Sequence, residues 1–262
     1  MLSVLGRQLV TVPILVLFAG APRPAATEGL LEAFFPLVAR RPVIEHEIEL
    51  RAAHEARRDG RETVTSLAIE GPILPRWGVS LSVPLVFNDP RAEAATAGAG
   101  DVELESKVIV AASADRRALA AAGLALTLPT GSGRRGLGGQ TSLEPFATVG
   151  LIAGDFLMVS DIGFVMPVGH PKGDGERIHT TLAVARPIGQ RLIPLLELTV
   201  ASTLRGGDGQ ETGRRGRVEL YVTPGLNVRV LPRATLGLGL RLPLTGARVL
   251  DHAFFATMDW DL

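Results

Sequence analysis

The sequence predicts an all-β chain: a single closed antiparallel transmembrane β-barrel of about twelve strands, preceded by an export signal. Three observations carry this expectation. The first residues have the layout of a secretory signal, apolar and polar side chains alternate with a period of two through most of the remaining chain, and the connections alternate between long polar stretches and tight turns.

In the leader, Arg7 supplies the positive charge, residues 9–18 the apolar run, and Ala19, Gly20 and Ala21 the small-residue close. Cleavage is expected after Ala21 or after Ala26, with Pro22 disfavouring the first and Pro24 the second. The apolar run is shorter than the ~20 residues that a spanning helix needs, and no later apolar run reaches that length. A mature chain in a membrane must then pair its backbone groups in a closed barrel. The expected division is a signal peptide over residues 1–26, an N-terminal periplasmic segment or plug over 27–42, and the barrel over 43–262. The segment 27–42 gathers Leu30, Leu31, Phe34, Phe35, Leu37 and Val38. It reads as a short amphipathic helix, at the membrane or in the lumen, or as an irregular lead-in to the first strand.

Composition narrows the function classes. The 27 basic residues balance 27 acidic ones, which gives no electrostatic pointer to nucleic acid. There is no cysteine, so thiolate metal sites, disulfides and cysteine nucleophiles are excluded, as suits a chain crossing an oxidising periplasm.

The strands follow in order. Residues 45–52 set Ile48, Leu50 and Ala52 against Glu45, Glu47, Glu49 and Arg51. After 62–70 comes 77–87, with Trp77, Val79, Leu81, Val83, Leu85 and Phe87 opposite Gly78, Ser80, Ser82 and Pro84. In 101–110, Val102, Leu104, Val108 and Val110 oppose Glu103, Glu105 and Lys107. One charged face excludes a strand buried on both sides. Further strands are expected at 118–128, 143–151, 156–166, 178–186, 192–203, 218–230, 235–242 and 253–262. Of these, 118–128 and 143–151 are apolar on both faces and rest on spacing. The links 57–61, 88–100, 129–142, 167–177, 205–217 and 243–251 are polar and mostly long, whereas 153–155, 187–190 and 232–233 are tight. Long outer loops, short periplasmic turns and an even strand number put both barrel termini on the periplasmic side. A soluble β-barrel or sandwich also alternates; the leader, the strand count and the loop asymmetry favour the membrane. Aromatic girdles are thin, with only Tyr221, Trp77 and Trp260, and Phe87, Phe146, Phe156, Phe164, Phe254 and Phe255 are candidates to complete them.

If the apolar faces meet lipid, the lumen receives Glu45, Glu47, Glu49, Arg51, Glu103, Glu105, Lys107, Asp161, Glu197, Glu219, Tyr221, Arg229, Arg241, Asp259 and Asp261. Carboxylates outnumber bases, so the interior reads as a salt-bridge network that holds the barrel's shape or as a cation-leaning polar passage. Arg57, Arg58, Arg61, Arg134, Arg135, Arg214, Arg215 and Arg217 crowd the outer loops, where they are solvated or neutralise lipid phosphates. No metal, cofactor or catalytic residue is expected. His46, His54, His170, His179 and His252 lack metal-ligand spacing, Gly131-Ser132-Gly133 is not a nucleophile elbow, and the glycine-rich 131–139 lacks the Lys-Ser/Thr ending of a phosphate loop. An outer-membrane lipid hydrolase would need a Ser and a His at one height on adjacent strands.

Gly100-Asp101-Val102-Glu103-Leu104-Glu105-Ser106-Lys107 and Leu128-Pro129-Thr130-Gly131-Ser132-Gly133 occur with, in order, Glu144-Pro145, Thr223-Pro224-Gly225-Leu226, Gly237-Leu238-Gly239, Leu242-Pro243-Leu244-Thr245-Gly246 and Met258-Asp259-Trp260-Asp261-Leu262. This series resembles the outer-membrane barrel family named for the meta-pathway of phenol degradation. The resemblance implies a transporter-like or channel-like barrel for small molecules, hydrophobic or aromatic ones among them. The departure is the end: such barrels usually close on Phe or Trp, the cue for the barrel-assembly machinery, and here Leu262 is last with Trp260 two before it. On physical grounds, Gly237 and Gly239 would let an inserted segment approach the wall. The partners expected are outer-membrane lipid, a small-molecule solute and the assembly machinery, with a non-transporting structural or surface-interaction barrel as the alternative function.

Overall fold

The computed structural model describes residues 34–169, 175–205, 218–246 and 250–262; the expected signal peptide and the start of the segment that follows it lie outside them. Among the described residues thirteen strands follow one another: β1 (Glu47–Arg57), β2 (Gly60–Leu74), β3 (Trp77–Pro90), β4 (Thr96–Ala99), β5 (Val102–Ala112), β6 (Ala118–Leu128), β7 (Ser142–Ala153), β8 (Phe156–Pro167), β9 (Glu176–Ala185), β10 (Leu192–Arg205), β11 (Val218–Leu231), β12 (Ala234–Pro243) and β13 (Leu250–Asp261). All are paired antiparallel, and β1 pairs with both β2 and β13, so the sheet closes on itself. Twelve strands form the wall and the short β4 adds to β3 beyond the seam, where Leu85 to Asn88 pair with it. Closure removes the unpaired edges that would otherwise be left in hydrocarbon.

The period of two sorts side chains between the two faces. Leu196 is 52% exposed while its neighbour Glu197 is 0% exposed, which fixes which face is which. The same holds on β1, where Leu50 is exposed and Glu47 buried, and on β5, where Leu104 is exposed and Lys107 buried. Leu67, Val83, Val149, Leu238 and Phe254 extend this apolar outer surface around the barrel. An exposed apolar band of this extent is a lipid-facing surface, because in water it would aggregate.

The connections fall into two sets. At one end lie the hairpins 75–76, 154–155 and 232–233 together with the links 113–117 and 186–191. In 113–117 the Ser113 hydroxyl and the Arg117 amide both donate to Asp115, and the Ser113 hydroxyl bond, with the amide behind it, holds that exposed carboxyl below its usual range. At the opposite end lie 58–59, 91–101 and 129–141. The first loop-end link is shorter than the sequence suggested: β1 runs on to Arg57 and turns through 58–59 alone. The loop expected at 88–100 holds β4, a piece too short to register as alternation.

The phenylalanine reading needs correction. Phe146 and Phe255 point inward, 5% and 8% exposed, and do not belong to a girdle. Adjacent residues on a strand face opposite sides, so Phe254 and Phe255 cannot share a surface, and Phe146 shares its face with Glu144 and Thr148.

The motifs behind the family resemblance are physically linked at the loop end. The Asp101 carboxylate accepts the amides of Gly131 (2.7 Å), Gly139 (2.8 Å) and Gln140 (3.1 Å), and the Thr130 hydroxyl donates to the Gly100 carbonyl. Gly138 and Gly139 reach Asp101 at φ of 122° and 101°, where a side chain is strained. Leu137, in the same loop, is buried against Gly98 of β4.

Candidate functional site

The interior is not uniformly polar. Toward the turn end, β8 to β10 turn Leu157, Val159, Ala183, Ala185, Ile193 and Leu195 inward, and these form one apolar cluster with Phe34 and Leu37 of the segment before β1. That segment, residues 34–46, has no helix; it enters the barrel as irregular chain and crosses the lumen. A buried irregular backbone needs partners for each polar group, and the wall supplies them. Asn227 donates to the Phe35 carbonyl (2.6 Å), Glu197 accepts the Val38 amide (3.1 Å), Thr148 donates to the Arg40 carbonyl (2.6 Å), and Lys107 donates to the Arg41 carbonyl (3.3 Å).

Leu37 is fully buried against the inner face of β11 and β12, where a Cβ on Gly225, Gly237 or Gly239 would overlap its side chain. The close approach inferred for Gly237 and Gly239 therefore has an occupant. Across the lumen, a Cβ on Gly78 would overlap Ile44, so the segment is seated on glycines at both ends.

Charged contacts fill the space between. Arg40 bridges Glu105 (3.1 Å) and Glu144, with its guanidinium 4.7 Å from the centre of the Phe146 ring. Arg41 pairs with Glu45 (3.0 Å) and Glu47 and lies 4.1 Å from the centre of the Phe35 ring. Lys107 pairs with Glu70 (3.1 Å) and Arg51 with Glu49 (2.7 Å). Among the described residues, two interior carboxylates keep an oxygen with no protein partner, Glu197 Oε2 and Asp161 Oδ1, and Asp161 also faces the His179 imidazole at 3.7 Å.

A cavity of about 460 Å³ remains beside the segment. Of the residues expected in the lumen, Glu47, Glu49, Arg51, Glu103, Glu105, Lys107, Asp161, Arg241 and Asp259 line it, with Arg40, Glu70 and His179. Glu197 lies under the segment rather than on the cavity. Glu219 and Tyr221 face inward nearer the loop end and bond each other (2.8 Å), with Arg177 on Glu219. Arg229 lies on the inward-facing row of β11 near the turn end, and Arg241 lies over the Phe255 and Tyr221 rings. Sequence reading missed Arg40, Arg41, Glu70, Glu144 and His179. Glu70 was legible from the parity of its strand; Glu144 and His179 needed the register of three strands, and the arginines needed the segment's path.

The histidine inside the cavity, His179, has Gly163 and Ala201 opposite it on the neighbouring strands, not a serine. Glu45, Glu47 and Asp261 bring carboxylate oxygens together near the start of β1, with Arg41 among them as counter-charge.

No family model matches the chain, and no curated protein matches it in sequence. Solved structures match its fold. The COG4313 outer membrane channel from Pseudomonas putida F1 superposes with a TM-score of 0.67 at 13% identity, covering 87% of this chain and 100% of its own. The NanC porin gives 0.58 at 10% identity over 82% of this chain and 100% of its own, and the KdgM porin 0.54 at 10% over 82% and 99%. The chain is thus an outer-membrane-type β-barrel; at these identities the likeness speaks for the fold.

Proposed function

We propose that the chain is a channel-type barrel of the bacterial outer membrane that passes small molecules, with residues 34–46 acting as a plug in its lumen. The turn end, which holds both termini of the wall, faces the periplasm, and the long loops face outward. The observation that carries the reading is the nature of the plug's seat. An interior built only for rigidity is best packed with apolar side chains, because paired buried charges stabilise poorly. Here the segment is held across a polar cavity by ion pairs and hydrogen bonds that water can replace, and it continues directly into β1 at the turn end. Glu47, Glu49, Arg51, Glu103, Glu105, Lys107, Arg241 and Asp259 line the passage in this reading, while Glu197, Glu219, Tyr221 and Arg229 hold its walls and plug.

The resemblance to the phenol-degradation barrel family makes small aromatic compounds reasonable first solutes to try. A second reading, a non-transporting structural barrel, draws on the complete burial of Phe34 and Leu37, which fills part of the interior with apolar packing. Ion conductance and solute uptake in proteoliposomes separate the two, comparing the full chain with a variant lacking residues 27–41. The channel reading expects low conductance that rises on deletion; unchanged conductance and uptake would favour the structural barrel.

A further inference from the structure

The barrel wall carries a recess built from its own side chains. On β6, Gly123 leaves room for the Phe146 ring, since a Cβ there would overlap it, so the ring can lie against the wall. On β8, Gly163 leaves room for Glu144 and His179 in the same way. Glu105 comes from β5, two strands away from β7, and completes the recess. The result is an aromatic ring flanked by carboxylates on different strands. Asp161, with its side chain 2% exposed, has a carboxylate oxygen without a partner among the described residues and lines the cavity that Glu105 also lines.

A planar cation with several donors in its plane and a weakly hydrated face is what such a recess recognises. The chain itself demonstrates the fit. The Arg40 guanidinium spends Nε on Glu105 and Nη1 on Glu144, with its carbon 4.7 Å from the centre of the Phe146 ring. An ammonium has three donors but they are not held in one plane and the group is strongly hydrated, so it gains less from two carboxylates set around a ring. An anionic solute would meet Glu103, Glu105, Glu144 and Asp161 together and is disfavoured.

We infer that Glu105, Glu144 and Phe146 form a binding site for small molecules bearing a guanidinium group, and that Arg40 of the plug occupies this site as an internal competitor. The inference rests on the channel reading for the way in: such a solute reaches the recess through the mouth of the barrel and displaces Arg40. Release of the plug and recognition of the solute are then one exchange at one pair of carboxylates, which gives the passage a bias toward guanidinium compounds over anions of the same size.

The test uses the full chain refolded in detergent micelles, with agmatine as the probe, glutamate as an anionic control, and calorimetry as the readout. Arg40→Ala vacates the recess and is expected to bind agmatine at least about tenfold more tightly than the unaltered chain, as the loss of a charge-assisted competitor implies. Adding Glu144→Gln, or Glu105→Gln where the first double variant fails to fold, is expected to weaken that binding by about tenfold or more. Heat-modifiable gel mobility confirms in each case that the barrel has formed. Equal agmatine affinity in the unaltered chain and Arg40→Ala, no binding to either, or indifference to both carboxylate substitutions would overturn the inference. Conductance decides the channel reading separately: a non-conducting plug deletion that still yields carboxylate-dependent agmatine binding in micelles removes the channel and keeps the site, whereas a conducting deletion without such binding does the reverse.

Discussion

Replacing Leu37 with alanine tests the plug most directly. The side chain is fully buried in the seat made by Gly225, Gly237 and Gly239, and it belongs to the apolar cluster that includes Phe34, Leu157 and Leu195. Truncation removes apolar surface worth ~0.8 kcal/mol per methylene, or about 2 kcal/mol for the leucine-to-alanine change. The measured range for buried leucines begins near this value and rises with the cavity left behind. The lower end is taken, which counts the transfer term and leaves out any cavity in the seat. A loss of about 2 kcal/mol from the seated state raises the released fraction roughly 30-fold. The wall strands stay paired whether the segment is seated or released, so the barrel is expected to form in the variant and to lose at most the seating free energy, about 2 kcal/mol, in overall stability. Single-channel recording in planar bilayers reads the open fraction, and the rate at which a cysteine placed at Val38 reacts with a membrane-impermeant maleimide reads release independently. Unaltered open probability together with an unaltered labelling rate would refute the reasoning, since it would mean that Leu37 does not hold the segment in place.

Three further outcomes are expected. Gly239→Val places carbon atoms where the Leu37 side chain lies, so it should expel the segment and raise conductance at least as far as Leu37→Ala; single-channel recording checks this. Leu196→Arg puts a charge on the lipid face and should destabilise the barrel by about 2–4 kcal/mol if the site lies near the bilayer midplane, whereas Ser82→Arg, on the cavity face, should cost much less; guanidine unfolding in lipid vesicles measures both. Asp101→Ala leaves the amides of Gly131, Gly139 and Gln140 without their acceptor, at a cost of about 1–3 kcal/mol. That loss should free the 129–141 loop, seen as protease cleavage in the loop while the barrel stays intact.

The strand count and the assignment of faces were legible in the sequence because they depend on local periodicity. On β1 and β5 the charges fall on alternate positions with Ile48, Leu50, Leu104 and Ser106 between them, and any barrel built from such strands must separate the two rows. The same logic failed where periodicity was silent. Strands β8 to β10 carry apolar residues on both faces near the turns, and nothing local distinguishes Leu157, which packs inside, from Met158, which faces out. The four-residue β4 was too short to alternate. Phe146 and Phe255 were misassigned because their position near strand ends was weighed above their parity.

The sequence by itself determined a closed wall of about twelve strands, its lipid-facing and enclosed rows, and two of the glycines, Gly237 and Gly239, on which something else rests, since each of these follows from backbone geometry and nearest neighbours along one strand. Only the tertiary structure decided what rests there. Arg40 and Glu105 are 65 positions apart, and Phe35 and Asn227 are 192 apart; their meeting depends on the register of several strands and on the path of an irregular segment with no period of its own. Side chains that meet through the lumen of a barrel leave no repeat in the chain, because the space that unites them exists only once the wall has closed.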